Sequence, residues 1–246
     1  MAVVVTVSRQ LGSQGSYMAA QAAEQLGFRY LDREILKRAA AEAGYPDERM
    51  VKLLARQEEV PGLLQRILDE LGRYPVVPSI PSASMREGFG YPTLSDMPTS
   101  GVDMEELNRS EAAQAYSELV RRVILKYAEM GNVVIVGRGG QAILRYRPDV
   151  LHVLVIASTE QRIRNLMDRQ GISQEEAERL IRRSDRQRRR YLEHYFGIKW
   201  QDPSLYHLIL NADHVSVSMG AALICEGARW LMKAGSPCQT PDGGER

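Results

Sequence analysis

The sequence predicts an α/β protein in which a parallel β-sheet is covered by helices on both faces. Three observations carry that prediction. The runs VVVTVS (3–8), NVVIVG (132–137) and VLHVLVIAS (150–158) are short, apolar and rich in β-branched residues, as buried parallel strands are. Segments of helical pattern alternate with them, which is the order of an α/β fold. The first run leads straight into the glycine- and serine-rich turn RQLGSQGS and then a helix, the arrangement of many nucleotide-binding proteins. At 246 residues, 44% of them hydrophobic, the chain can bury a sizeable core.

After the strand at 3–8, SYMAAQAAEQLG reads as a helix ended by Gly27. FRYLD (28–32) is a short second strand. REILKRAAAEAG (33–44), DERMVKLLARQEE and PGLLQRILDELG continue as helices, the last with Pro61 at a first-turn position. Residues 73–101 hold five prolines and predict a long irregular loop or linker. A helix from about 103 to 130 precedes the strand at 132–137, and GRGGQAILRYRP forms a glycine turn and a short helix. Beyond the strand at 150–158 come helices at TEQRIRNLMDRQG and SQEEAERLIRRSDRQRRRYLEHYFG, a strand at YHLILN (206–211) and a last helix to about 233. The chain therefore divides into one α/β domain over 1–233 and a disordered tail over 234–246.

Composition excludes several classes. The formal charge of +1, from 32 basic and 31 acidic residues, gives no global attraction to nucleic acid or to an anionic membrane. The two cysteines, Cys225 and Cys238, build neither a disulfide framework nor a four-ligand zinc site. No apolar run reaches the roughly 18 residues of a membrane span, and the N-terminal stretch lacks a signal-peptide pattern, so a cytoplasmic location is expected.

Three places can carry chemistry. In the first, Gly12, Ser13, Gln14, Gly15 and Ser16 can turn backbone N–H groups toward phosphate oxygens at a helix N-terminus, or can simply make a tight turn. The pattern G-x-x-x-x-G-K-[ST] is absent: with Gly15 as its second glycine, Ser16 holds the lysine position and Tyr17 the hydroxyl position. A dinucleotide-binding turn with Asp32 on the ribose lacks its third glycine. In the second place, Arg138 follows a buried strand and Gly137, at the sheet edge where Ser8 and Arg9 also emerge, or else it caps a helix or pairs on the surface. The third is the run from Arg179 to Arg190, with seven arginines. It reads as a solvated helix face, a nucleic-acid contact, or a lid whose arginines close over phosphates, with Asp185 positioning them or touching the acceptor.

Taken together, five motifs in order resemble the cytidylate kinase-like proteins, relatives of the P-loop nucleoside monophosphate kinases. They are V-x-V-S-R-Q-x-G-S-x-G, A-E-x-L-G-F-x-Y-L-D-R-E-I, V-I-V-G-R-G-G, A-S-x-E-x-R-I, and D-x-x-R-x-x-Y-x-x-x-Y-x-G-x-x-W-x-D-P-x-x-Y-x-L-x-L-N. The resemblance runs from about Val3 to Ile224 and is weakest across 46–110. It implies a three-layer α/β/α core, a helical monophosphate-binding region within about 33–130, and an arginine-rich lid at about 172–200. By that likeness Gly12 to Ser16 hold the donor phosphates, while Asp32 and Arg33 begin the monophosphate-binding region. Arg138 meets the acceptor phosphate. Asp185 and Arg188 match the lid motif, Arg182 and Arg186 are its neighbours, and Asn211 is structural. Tyr17, Asp32 and the Pro-rich loop are placed to shape the acceptor pocket.

The implied reaction moves the γ-phosphoryl group of ATP, with Mg²⁺, to a nucleoside monophosphate such as CMP or dCMP. The attacking phosphate oxygen is already an anion, so positioning and charge neutralisation replace a strong general base. His152, His194, His207 and His214 are accordingly assigned to structure, and the metal ligands are left unassigned. The missing lysine has two readings. Either Arg9 or a lid arginine supplies its charge, making Arg9, Arg138, Asp185 and Arg188 the catalytic set, or the chain is a nucleotide-binding module that transfers phosphate poorly.

Overall fold

A computed structural model describes residues 2–32, 69 and 111–234. The helices expected within 33–72 apart from residue 69, Arg33, the Pro-rich stretch 73–101, the start of the helix expected from about 103 and the tail 235–246 lie outside the described residues. Within them the elements are β1 Val4–Arg9, α1 Gly15–Leu26, β2 Arg29–Leu31, α2 Glu111–Met130, β3 Val133–Val136, α3 Gly140–Ile143, β4 Val150–Ile156, α4 Thr159–Gln170, α5 Gln174–Phe196, a 3₁₀ turn Pro203–Leu205, β5 Leu208–Asn211 and α6 Val217–Ala234.

The five strands form one parallel sheet in the order β2-β3-β1-β4-β5, as the apolar runs predict. The architecture is the three-layer α/β/α one. Val4, Val5, Thr6, Val7 and Ser8 are all buried, because β1 lies at the centre with helices above and below. Successive side chains alternate between the two faces. Val3, Val5, Val7, Val153 and Val155 pack with Met18, Ala19, Ala22 and Ala23 of α1 and with Ala221, Ile224 and Ala228 of α6. The small residues let the two helices approach closely, and Gly220 sits where a Cβ would meet the Met18 sulfur at 2.5 Å. On the opposite face, Gly140 of α3 lies against Thr6 and Ile135, and Leu154 packs with Leu205 and Tyr206.

Caps set the helix limits. Gly27, in the left-handed region at φ 65°, ends α1, and the next N–H, of Phe28, bonds back to the Ala23 carbonyl. Ser158 and Ser173 cap α4 and α5 by accepting from the N–H groups of Gln161 and Glu176.

The chain runs from β1 to one side of the sheet, returns as β3 beside β1, and crosses to the other side as β4. A crevice is therefore expected beyond the carboxyl ends of β1 and β3. Register places Val7 opposite Val136 and Arg9 opposite Val155, so Ser8, Arg9 and the Gly137 turn emerge at one level. No helix among the described residues is long and apolar enough to cross a membrane.

Candidate active site

The turn after β1 is held from behind by α4. Gly12 and Gln14 take the left-handed region, at φ 81° and 63°. A side chain at Gly12 would strike the Arg162 backbone, its Cβ 2.6 Å from the carbonyl oxygen. Asn165 Nδ2 donates to the Gly12 carbonyl at 2.8 Å, and the side chain of Gln14 donates to Asn165 Oδ1 at 3.0 Å. Gln10 Oε1 accepts from the Ala157 N–H at 2.9 Å, and Arg162 Nε donates to the Leu11 carbonyl at 2.7 Å. The Ser13 N–H turns back to the Gln10 carbonyl, and the N–H groups of Tyr17 and Met18 bond to the Gln14 carbonyl, so α1 starts directly at the turn. The turn therefore has left-handed residues at Gly12 and Gln14 and carbonyls at Leu11 and Gly12 that are anchored by α4.

Arg162 is 3% exposed and forms a bidentate pair with Asp185, at 2.9 and 2.8 Å. One guanidinium therefore links α5 to the turn after β1. Asp185, expected among the reacting groups, has both carboxylate oxygens engaged by Arg162.

Arg9 lies across the front of the turn. Its Nε donates to Ser16 Oγ at 3.1 Å, at the position where a P-loop lysine would stand. Its far end lies against Gly137, where an added Cβ would fall 2.5 Å from Nη1. The guanidinium thus spans from the first turn of α1 to the turn after β3.

That second turn is three consecutive left-handed residues, Gly137 (φ 76°), Arg138 (58°) and Gly139 (72°). For an arginine the conformation costs roughly 1–2 kcal/mol, and such strain concentrates at functional sites. Gly139 is needed for a second reason: a Cβ there would lie 2.6 Å from the Phe196 ring at the end of α5.

Arg9 and Arg138 line a cleft with Ser8, Gly137, Gly139 and Gln141 on the sheet side and Arg188, Tyr191, Leu192 and Trp200 on the other. Three arginines meet there, and no carboxylate is among these lining residues. The floor is a buried polar chain. Trp200 Nε1 donates to Ser8 Oγ at 2.9 Å, Tyr206 Oη donates to the Trp200 carbonyl at 2.6 Å, and Gln141 Nε2 donates to Tyr206 Oη at 3.4 Å. Burial pushes the Tyr206 phenol above its ordinary pKa, so it stays a neutral donor. The Arg188 guanidinium stands 5.6 Å from the centre of the Trp200 ring.

The structure thus brings Arg9, Arg138 and Arg188 together at the expected strand ends. Other expected residues stand elsewhere. Arg182 pairs along the helix with Glu178 at 3.1 Å, Arg186 is exposed, and neither is among the described residues lining the cleft. Tyr17 lies under the Arg169 guanidinium, 3.9 Å from its ring centre, and Asp32 ends the β2 segment; neither lines the cleft. Sequence reasoning missed Arg162, Asn165, Gln141, Tyr191 and Trp200. Arg162 and Trp200 were visible inside the A-S-x-E-x-R-I and W-x-D-P patterns, without a partner to give them a role. Among the described residues no group of three His, Cys, Asp or Glu side chains could hold a metal ion.

The described residues form a three-layer α/β/α fold with three arginines at the carboxyl ends of its parallel strands. The chain belongs to the cytidylate kinase-like family, whose model matches residues 4–214. It is 31% identical over 155 residues to the cytidylate kinase of Pyrobaculum arsenaticum, covering 62% of this chain and 79% of that protein. It is 33% identical over 120 residues to the cytidylate kinase of Pyrobaculum aerophilum, covering 48% of this chain and 64% of that one. The solved structure of an uncharacterized protein from Eubacterium ventriosum shares the fold, with a TM-score of 0.57 and 16% identity over 92% of this chain and 98% of that one. Family membership supports a nucleotide kinase.

Proposed function

We propose that the protein is a nucleoside monophosphate kinase that transfers the γ-phosphoryl group of ATP to CMP or dCMP. The observation that carries this reading is the meeting of Arg9, Arg138 and Arg188 at one cleft, between an anchored glycine turn and a strained Gly-Arg-Gly turn. A site with three guanidinium groups and no lining carboxylate suits ligands of high negative charge, and planar guanidinium groups bind phosphate oxygens in pairs.

In this reading the backbone N–H groups from Gly12 to Ser16 and the dipole of α1 receive the donor phosphates. Arg9, fixed by Ser16, supplies the positive charge that a lysine at position 16 would carry. Arg138 and Arg188 receive the acceptor phosphate and hold its oxygen in line with the donor. Tyr17 and Asp32 stand outside this inner set, and Asp185 acts through Arg162 by holding the donor turn in shape. Charge that spreads over the transferring group meets arginines already in place, which is the main source of rate in phosphoryl transfer. Mg²⁺ held with the nucleotide would supply charge neutralisation at the donor phosphates, beside Arg9.

The test is a coupled assay of Mg-ATP consumption against a panel of nucleoside monophosphates. CMP or dCMP is expected to be turned over fastest, with Arg138→Ala and Arg188→Ala each abolishing the activity. Thermal stabilisation by nucleotides without turnover of any monophosphate would instead establish the binding-module reading, which the serine at position 16 favours. Full activity in both variants would refute the site assignment.

A further inference from the structure

Trp200 belongs to none of the reacting groups, yet the mounts of all three arginines meet on it. It is 2% exposed, in the loop between α5 and β5. Its indole N–H fixes Ser8, the residue before Arg9. Its carbonyl accepts from Tyr206, which in turn accepts from Gln141 in the first turn of the helix that follows Arg138. Its ring lies beneath the guanidinium of Arg188. An arginine on a flexible stem loses side-chain entropy when it captures a phosphate, and an aromatic face that holds the guanidinium beforehand removes part of that cost.

We infer that Trp200 is the positioning residue of the cleft: its face presents Arg188 to the phosphate of the ligand while its N–H and carbonyl hold the ends of β1 and α3 in register. The inference rests on the reading that Arg188 binds the acceptor phosphate. One consequence is spectroscopic. A phosphate that draws on Arg188 changes the charge above the indole, so Trp200 emission reports binding.

The chain has two tryptophans, and the second, Trp230, is 56% exposed on α6 and lines no part of the cleft. Trp230→Phe therefore isolates the Trp200 signal in the full-length protein. Titration of this variant with CMP, beside calorimetry on the same samples, is expected to give a saturable emission change with the calorimetric midpoint. An emission that stays constant while calorimetry shows saturation would overturn the inference.

A double-mutant cycle then measures the coupling. Arg188→Gln is expected to weaken CMP binding at least about tenfold, and Trp200→Leu by about the same factor, roughly what one oriented charged contact contributes. Trp200→Phe, which keeps the ring face and loses the N–H bond to Ser8, is expected to fall between the parent and Trp200→Leu. The combined Arg188→Gln, Trp200→Leu protein is expected to bind CMP less weakly than the product of the two single losses, because part of the Trp200 effect runs through Arg188. A merely structural tryptophan would lower thermal stability and leave CMP affinity intact, or would weaken binding additively in both backgrounds, and either result overturns the inference. If Arg188→Gln itself binds CMP normally, the acceptor-site reading fails first, whatever Trp200 does.

Discussion

Arg138 shows how much a single residue can disclose and how much it cannot. Its place after a buried strand and a glycine predicts a position at the sheet edge, and the structure puts it there. Its left-handed backbone and its company with Arg188 were invisible, because both follow from how α5 packs over the turn. Arg9 is similar: the sequence offers it as a substitute for the absent lysine, and in the structure its Nε reaches Ser16 at the lysine position. Gly137→Ala tests the geometry. The new Cβ is strained by roughly 1–2 kcal/mol at a positive φ and strikes the end of Arg9. The expected result is a thermal midpoint lower by several degrees and a fall in kcat larger than that instability explains, read in the coupled assay at a temperature well below the midpoint.

At the scale of elements, every strand and helix within the described residues was legible from apolar periodicity, glycine stops and serine caps. The small discrepancies are at ends, such as β1 continuing to Arg9 and β3 shortening to Val133–Val136. Contacts between elements were not legible, because a parallel sheet joins segments far apart in sequence. The Arg162–Asp185 pair is the clearest case. Asp185 reads from the sequence as positioning arginines or touching the acceptor, and in the structure it fixes the Arg162 guanidinium that holds Leu11 and so ties α5 to the turn after β1. Removing one partner of a buried pair leaves an uncompensated charge, so Asp185→Leu is expected to cost about 3 kcal/mol in chemical denaturation. Replacing both, as Arg162→Met with Asp185→Leu, is expected to recover part of that stability while nucleotide affinity falls, because Arg162 no longer donates to the Leu11 carbonyl. Unchanged affinity in the double variant would show that the pair has no part in shaping the turn. The helix packing makes a separate prediction: Met18→Ala is expected to cost 2–5 kcal/mol, since its side chain fills the space between α1 and α6.

For the whole molecule, the assignment of the histidines to structure leads to a pH dependence. His152 lies 2.7 Å from Thr6 Oγ1 and is stacked on His207, whose Nδ1 accepts from the His152 N–H at 3.0 Å. Burial, with His207 beside it, lowers the His152 pKa from 6.5 to about 4. Below pH 6.5 the unfolded chain therefore binds a proton that the folded chain refuses. Stability from this group is fully present above about pH 6.5 and is lost as pH falls toward about 4, by up to roughly 3 kcal/mol. Urea unfolding from pH 7 to 4.5 is expected to show this decline, and His152→Gln is expected to flatten it. An unchanged slope in the variant would mean that the carboxylates alone govern acid sensitivity.

Under the proposed function, this fold performs phosphoryl transfer with Arg9 in the role of the absent lysine. The most direct measurement is kcat for Mg-ATP and CMP in Arg9→Ala beside the parent protein, both at saturating nucleotide. The expected result is measurable turnover in the parent and a fall on the order of 10²-fold in the variant, as for removal of one transition-state contact. Undiminished kcat in Arg9→Ala would contradict the account.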